Sequence, residues 1–214
     1  MALRFVPSPD PLRILCLGAH ADDIEIGCGG TLLRLLSEHP GSVVRYVVFS
    51  ATAEREREAR ASAAELLAAA GERAVDVHTF RESYFPWVGA EIKDAFEALK
   101  PFAPNLVFTH HRGDLHQDHA TIAGLTWNTF RDHAILEYEI PKYEGDLGSP
   151  NVYVPLDDEV ARRKVEQILR HFPSQASRPW FRAGTFEAVL RLRGIECNSA
   201  SGLAEAFHGR KILL

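Results

Sequence analysis

Four apolar runs, RILCLGA, SVVRYVVFSA, AVDVHTF and NLVFTH, recur along the first half of the chain with a helical segment between each pair. The first, second and fourth are nearly continuous in apolar residues, the pattern of strands covered on both faces. The intervening segments, GGTLLRLLSEHP, REREARASAAELLAAAG and VGAEIKDAFEALKPFAP, place apolar residues at three- and four-residue spacing and end in Gly or Pro. Such an alternation dictates right-handed crossovers and a mostly parallel sheet flanked by helices on both faces, a single Rossmann-like α/β domain. Beyond the fourth run, HHRGDLHQDHATIAGLTWNTFRDH reads as a polar loop entering a helix. ILEYEIPKYEGDLGSPNVYVPL carries two short strands around a Pro/Gly-rich loop, and DDEVARRKVEQILRHFPSQ is a further helix. No linker separates a second unit, so residues 1–214 are expected to form one domain.

Composition narrows the partners. The net charge of −5 is spread along the chain, with no basic stripe to neutralise phosphates, so nucleic acid is not an expected partner. The opening MALRFVPSPDPLRILCLGAH has prolines where a signal peptide needs an apolar core, and no later run approaches about 18 apolar residues. A cytoplasmic protein without an integral membrane segment is expected. Cys16, Cys28 and Cys197 form no CxxC pair and read as packed free thiols.

The polar residues are not spread evenly. In GAHADDIEIGCGG, His20, Asp22, Asp23 and Glu25 crowd the point where the first strand meets a helix. A second cluster, His110, His111, Asp114, His116, Asp118 and His119, follows the fourth strand. With strand order 3-2-1-4 these two strands are neighbours, and the clusters face one crevice at the carboxyl edge of the sheet. A dinucleotide site would need glycine-rich backbone at this turn, whereas here Asp22 and Asp23 would repel a pyrophosphate and the glycines arrive only at Gly27, Gly29 and Gly30. Those glycines are expected to let the helix pack close to the sheet, or to carry strained backbone.

Adjacent carboxylates repel unless a cation or a shared proton compensates. His20 and Asp23 can put a nitrogen and an oxygen on one divalent ion, with His119 as third ligand and the remaining position open. Asp22 then points elsewhere, and His116, one turn from His119, can meet a substrate. Asp114 with Gln117 three positions on reads as a capping box that starts a helix, or as support for a metal ligand. Asp118 can accept a proton from an imidazole and hold its tautomer.

Together AHADDIE and HHRGDLHQDH resemble the LmbE-like (PIG-L) family of metal-dependent N-acetylglucosaminyl de-N-acetylases, whose signatures read AHPDDE and HxDH. The family fold matches over roughly residues 12–210. The resemblance implies His20, Asp23 and His119 as ligands of Zn2+, with Fe2+ also admitted by the donor types. It further implies Asp22 as general base, His116 as the group that stabilises the oxyanion, and Asp118 as the residue that orients His116. Ala21 stands where the family has proline, and Ile24 intervenes before Glu25, which is given a supporting or packing role. The expected activity is hydrolysis of an N-acetyl group from an amino sugar or glycoconjugate, releasing acetate and a free amine. Arg81, Arg55, Lys142 and Tyr143 are expected substrate contacts, and a homo-oligomer is compatible with the reading. The same residues also suit a metal-dependent amidase acting on a non-sugar or thiol-conjugate amide, an iron(II) oxygenase, or a non-catalytic sugar-binding subunit.

Overall fold

A computed structural model describes residues 11–211; residues 1–10 of the proline-bearing opening segment, and both ends of the expected domain, lie outside the described residues. Seven strands form one sheet: β1 (Arg13–Gly18), β2 (Val43–Val48), β3 (Glu72–Val77), β4 (Leu106–His110), β5 (Ala134–Tyr138), β6 (Val152–Pro155) and β7 (Ala204–Gly209). Their order is β3-β2-β1-β4-β5-β7-β6, parallel from β3 through β5, with β7 antiparallel to both its neighbours. The order 3-2-1-4 at its centre is the one that brings the two polar clusters together.

Alternation within β1 explains the layers. Ile14 and Cys16 point into one apolar core with residues of α1 (Asp23–Glu38), α2 (Ala53–Leu66), α5 (Asp158–His171) and α6 (Ala183–Glu196). Leu15 and Leu17 point into a second core with α3 (Gly89–Leu99) and α4 (Gln117–Thr129). A strand buried on both faces has to be apolar at every position, as RILCLGA is. By contrast β3 is an edge strand, and the exposure of its first three residues accounts for its broken apolar pattern.

Two elements were not anticipated from the sequence. These are α6 and β7, AEAFHG, in which Glu205 and His208 interrupt the apolar signal. Glu205 is nonetheless buried, and its carboxylate accepts the Gly30 and Thr31 N–H groups of α1 at 2.8 and 2.6 Å. Buried Lys164 of α5 completes the arrangement, donating to Glu205 Oε1 at 2.5 Å and to the Ile26 carbonyl at 2.6 Å. A charged pair thus fastens α1, α5 and β7 to one another.

The glycines of α1 divide into two kinds. A Cβ on Gly27 would lie 2.2 Å from the Tyr138 ring, and one on Gly30 would lie 2.5 Å from Leu156. Gly29 has only ordinary contact distances, so close packing does not account for it, and none of the three has a positive φ. Gly27→Ala is therefore expected to destabilise the fold by about 1–3 kcal/mol, because Tyr138 is fully buried and its hydroxyl is anchored on the Leu17 carbonyl. A denaturant titration with an unchanged slope checks this.

Candidate active site

Neighbouring strands deliver the two clusters to one place. β1 and β4 pair in register from Ile14 with Leu106 to Cys16 with Phe108, and both end beneath the cluster. Past β1 the chain turns through His20 into α1; its N-cap, Asp22, makes no side-chain capping bond, which leaves that carboxylate free for other partners. Asp23 stays in the turn, its Oδ2 accepting the His20 N–H at 2.6 Å.

Donor atoms of three residues converge. His20 Nδ1 lies 3.2 Å from His119 Nε2 and 3.5 Å from Asp23 Oδ2, and His119 Nε2 lies 3.6 Å from Asp23 Oδ1. Ligand atoms tetrahedrally arranged around zinc are about 3.3 Å apart, close to these pairwise gaps, and the residue sets whose ligand atoms lie near enough for one ion are His20 with His116 and His119, and Asp23 with His110 and His119. The outer ring nitrogens point the same way. His119 Nδ1 faces Asp114 Oδ2 at 2.9 Å and His20 Nε2 faces Asp118 Oδ2 at 3.2 Å. A carboxylate on the outer nitrogen fixes the tautomer that presents a lone pair inward.

At each titratable group of the site, burial competes with the neighbouring charges. Burial disfavours the charged form of His20, yet the carboxylates of Asp23 and Asp118 outweigh it and push its pKa up to about 10. Burial works against the Asp23 carboxylate too, but His119, His110 and His20 hold it well below the usual range. His119 is lowered to about 4 by burial and by the neighbouring His110. Asp22, also buried, is raised by that burial, with Arg55 opposing and Asp23 reinforcing.

Asp22 Oδ1 sits 2.7 Å from Arg55 Nη2, and Arg55 is in turn held by Glu58 Oε2 at 3.1 Å and Ser174 Oγ at 3.2 Å. The expected substrate contact Arg55 is thus committed to Asp22. His116 caps α4, its Nδ1 accepting the Asp118 N–H at 3.3 Å, which leaves the proton of a neutral ring on Nε2. The helix expected to begin at Asp114 begins at Gln117 instead. Asp114 accepts the His116 N–H through Oδ1 at 2.8 Å while holding His119 through Oδ2, so it supports a ring rather than capping the helix. Asp118, expected to orient His116, meets His20 with its side chain because the carboxylate turns toward the loop after β3.

The remaining expected contacts are spread along the loops. Lys142 Nζ lies 2.9 Å from Asp114 Oδ2 and 2.6 Å from Asp146 Oδ1, so its charge is taken up inside the protein. The Arg81 guanidinium lies 3.5 Å over the Tyr84 ring, and Tyr143 is exposed. Buried Glu25 accepts from Tyr46 at 3.0 Å and from Ser62 at 2.6 Å, which ties α1 to β2 and α2 in the supporting role expected. Sequence reasoning gave His110 no function. The structure stacks it 3.9 Å from His119 and puts its Nε2 3.2 Å from Asp23 Oδ2. The signal was its place at the end of a buried strand, two residues beyond core Phe108.

A Rossmann-like sheet with imidazoles and carboxylates gathered at the ends of its central strands defines an α/β protein with a candidate metal site at its carboxyl edge. The chain belongs to the PIG-L family, whose model, described as GlcNAc-PI de-N-acetylase, matches residues 15–130. It is 29% identical over 175 residues to the uncharacterized deacetylase YaiS of Escherichia coli K12, covering 74% of this chain and 89% of that protein. Among solved structures it is similar to the N,N'-diacetylchitobiose deacetylase of Pyrococcus horikoshii, with TM-score 0.72, 20% identity and coverage of 95% and 84%. It is also similar to GalB, the 4-carboxy-2-hydroxymuconate hydratase of Pseudomonas putida KT2440, with TM-score 0.71, 14% identity and coverage of 96% and 97%. One fold therefore carries different reactions, and the reaction has to be argued from the site. Among the described residues no helix is long and apolar enough to cross a membrane.

Proposed function

We propose that the protein is a metal-dependent N-deacetylase that hydrolyses the acetamide of an N-acetylglucosamine-type sugar or glycoconjugate. The observation that carries this reading is the convergence of His20 Nδ1, Asp23 and His119 Nε2 with Asp22 beside them. A zinc or iron(II) ion held by those three residues would supply Lewis acidity, lowering the pKa of water toward about 7 and polarising the amide carbonyl. Asp22, whose carboxyl burial raises, accepts the proton of the attacking water, and Arg55 keeps that carboxylate oriented. His116 offers its Nε2–H as a hydrogen-bond donor to the developing oxyanion, a stabilisation typically worth about 3 kcal/mol. Asp22 passes the proton it took from water to the departing amine as the C–N bond breaks, and acetate and a free amine result.

Loops at the mouth support a ligand with an apolar face. Tyr84, Trp87, Leu115, Tyr143 and Leu147, five of the seven large exposed hydrophobics among the described residues, follow β3, β4 and β5. A pyranose ring or an apolar aglycone matches such surfaces, with Arg81 and Tyr143 as contacts. A cytoplasmic setting fits the free thiols of Cys16, Cys28 and Cys197. Acetate release from a panel of N-acetylglucosaminides and non-sugar acetamides tests the proposal. Activity is expected to vanish with a chelator and to return with zinc. Release only from the non-sugar amides would replace the substrate class, and no release from a fully metal-loaded protein would overturn the deacetylase reading.

A further inference from the structure

We propose that Asp118 is a positioning residue that joins the loop after β3 to the candidate ligand His20, so that metal retention depends on the placement of that loop. The inference rests on the metal reading above. Asp118 is fully buried, and its carboxylate has three partners. Oδ2 faces His20 Nε2 at 3.2 Å and accepts the Ser83 N–H at 2.6 Å, while Oδ1 accepts the Phe85 N–H at 3.2 Å. Ser83 needs holding: its φ of 66° is a left-handed conformation that L residues rarely adopt. Gln117, next to Asp118 in the first turn of α4, donates to the Ser83 carbonyl at 2.5 Å. One helical turn therefore grips the loop on both sides of Ser83, and the same carboxylate that grips it sets the His20 ring.

The link to His116 is of another kind. There the backbone N–H of Asp118 is the donor, to His116 Nδ1 at 3.3 Å, and a change of the Asp118 side chain leaves that group in place. Loss of the carboxylate is thus felt at His20 and at the loop, not at His116. Such outer partners of metal-binding histidines typically govern affinity by about 10- to 100-fold.

The experiment compares the wild-type protein with Asp118→Asn, Gln117→Ala and His116→Ala by chelator competition for zinc and by amide hydrogen exchange across residues 80–88. Asp118→Asn is expected to weaken zinc binding by about 10- to 100-fold and to speed exchange at the Ser83 and Phe85 amides with or without metal. Gln117→Ala, at an exposed position that leaves the fold intact, is expected to speed exchange and weaken zinc by about threefold, the worth of one hydrogen bond. His116→Ala, which removes the cap of α4 but leaves the Asp118 carboxylate on His20 and the loop, is expected to weaken zinc binding and to speed loop exchange by less than Asp118→Asn does. Zinc affinity unchanged in Asp118→Asn, with only turnover lost, would assign the side chain to His116 and overturn the coupling alone. Faster zinc loss with no change in loop exchange would overturn the link to the loop. A wild-type protein that binds no zinc would overturn the metal reading and the coupling together.

Discussion

Asp22→Asn is expected to keep its metal and to release acetate about 100- to 10,000-fold more slowly, the range typical of a lost general base. The substitution is nearly isosteric and leaves the three converging donors untouched. It removes the only function assigned to Asp22, that of proton acceptor beside the ion, while an amide oxygen can still face Arg55. His20→Ala and Asp23→Ala are expected to lose both metal and turnover, because each deletes one of the converging donors. Metal content measured alongside initial rates separates the two classes. Asp22→Asn turnover within tenfold of wild type would move the base elsewhere, and wild-type metal stoichiometry in His20→Ala would sink the ligand set.

Glu205→Ala is expected to be the most damaging substitution far from the mouth, destabilising the protein by about 3–5 kcal/mol. It would leave the buried Lys164 ammonium without its carboxylate and the Gly30 and Thr31 N–H groups without their acceptor. An ion pair of this kind is a poor stabiliser against an apolar replacement, yet a strong destabiliser when only half of it is removed. Urea denaturation of Glu205→Ala beside the double variant Lys164→Met, Glu205→Leu checks this, with the double variant expected to recover part of the loss. Equal stability of wild type and Glu205→Ala would show that the pair holds nothing together.

How much of this was legible in the sequence depends on what each signal measures. Strands β1, β2 and β4 are buried on both faces, so burial and apolarity coincide and the runs are plain. β7, next to the edge strand β6, is buried over its first four residues, but one of them is Glu205, and a pattern that equates buried with apolar passes over a paired charge. At the candidate site, the two motifs pointed to His20, Asp22, Asp23 and His119, and the strand order brings these residues together. The partners of Arg55, Lys142 and Asp118 were not. Each long or turn-borne side chain chose among acceptors from distant segments, Asp22 and Ser174 for Arg55, Asp114 and Asp146 for Lys142, and such choices are made only in three dimensions. Motif spacing put Asp118 beside His116, whereas the rotation of one helical turn gave its carboxylate to His20.

The strand order also sets a timetable for synthesis. β6 (Val152–Pro155) reaches the sheet only through β7 (Ala204–Gly209), which inserts between it and β5. While a ribosome is still making the intervening segment, β5 presents an unpaired edge and β6 has no strand to join. Contacts so distant in sequence close late and leave aggregation-prone edges in the meantime. A substitution that slows pairing of β7 would therefore lower the yield of folded protein from cells even where the finished molecule is as stable as before.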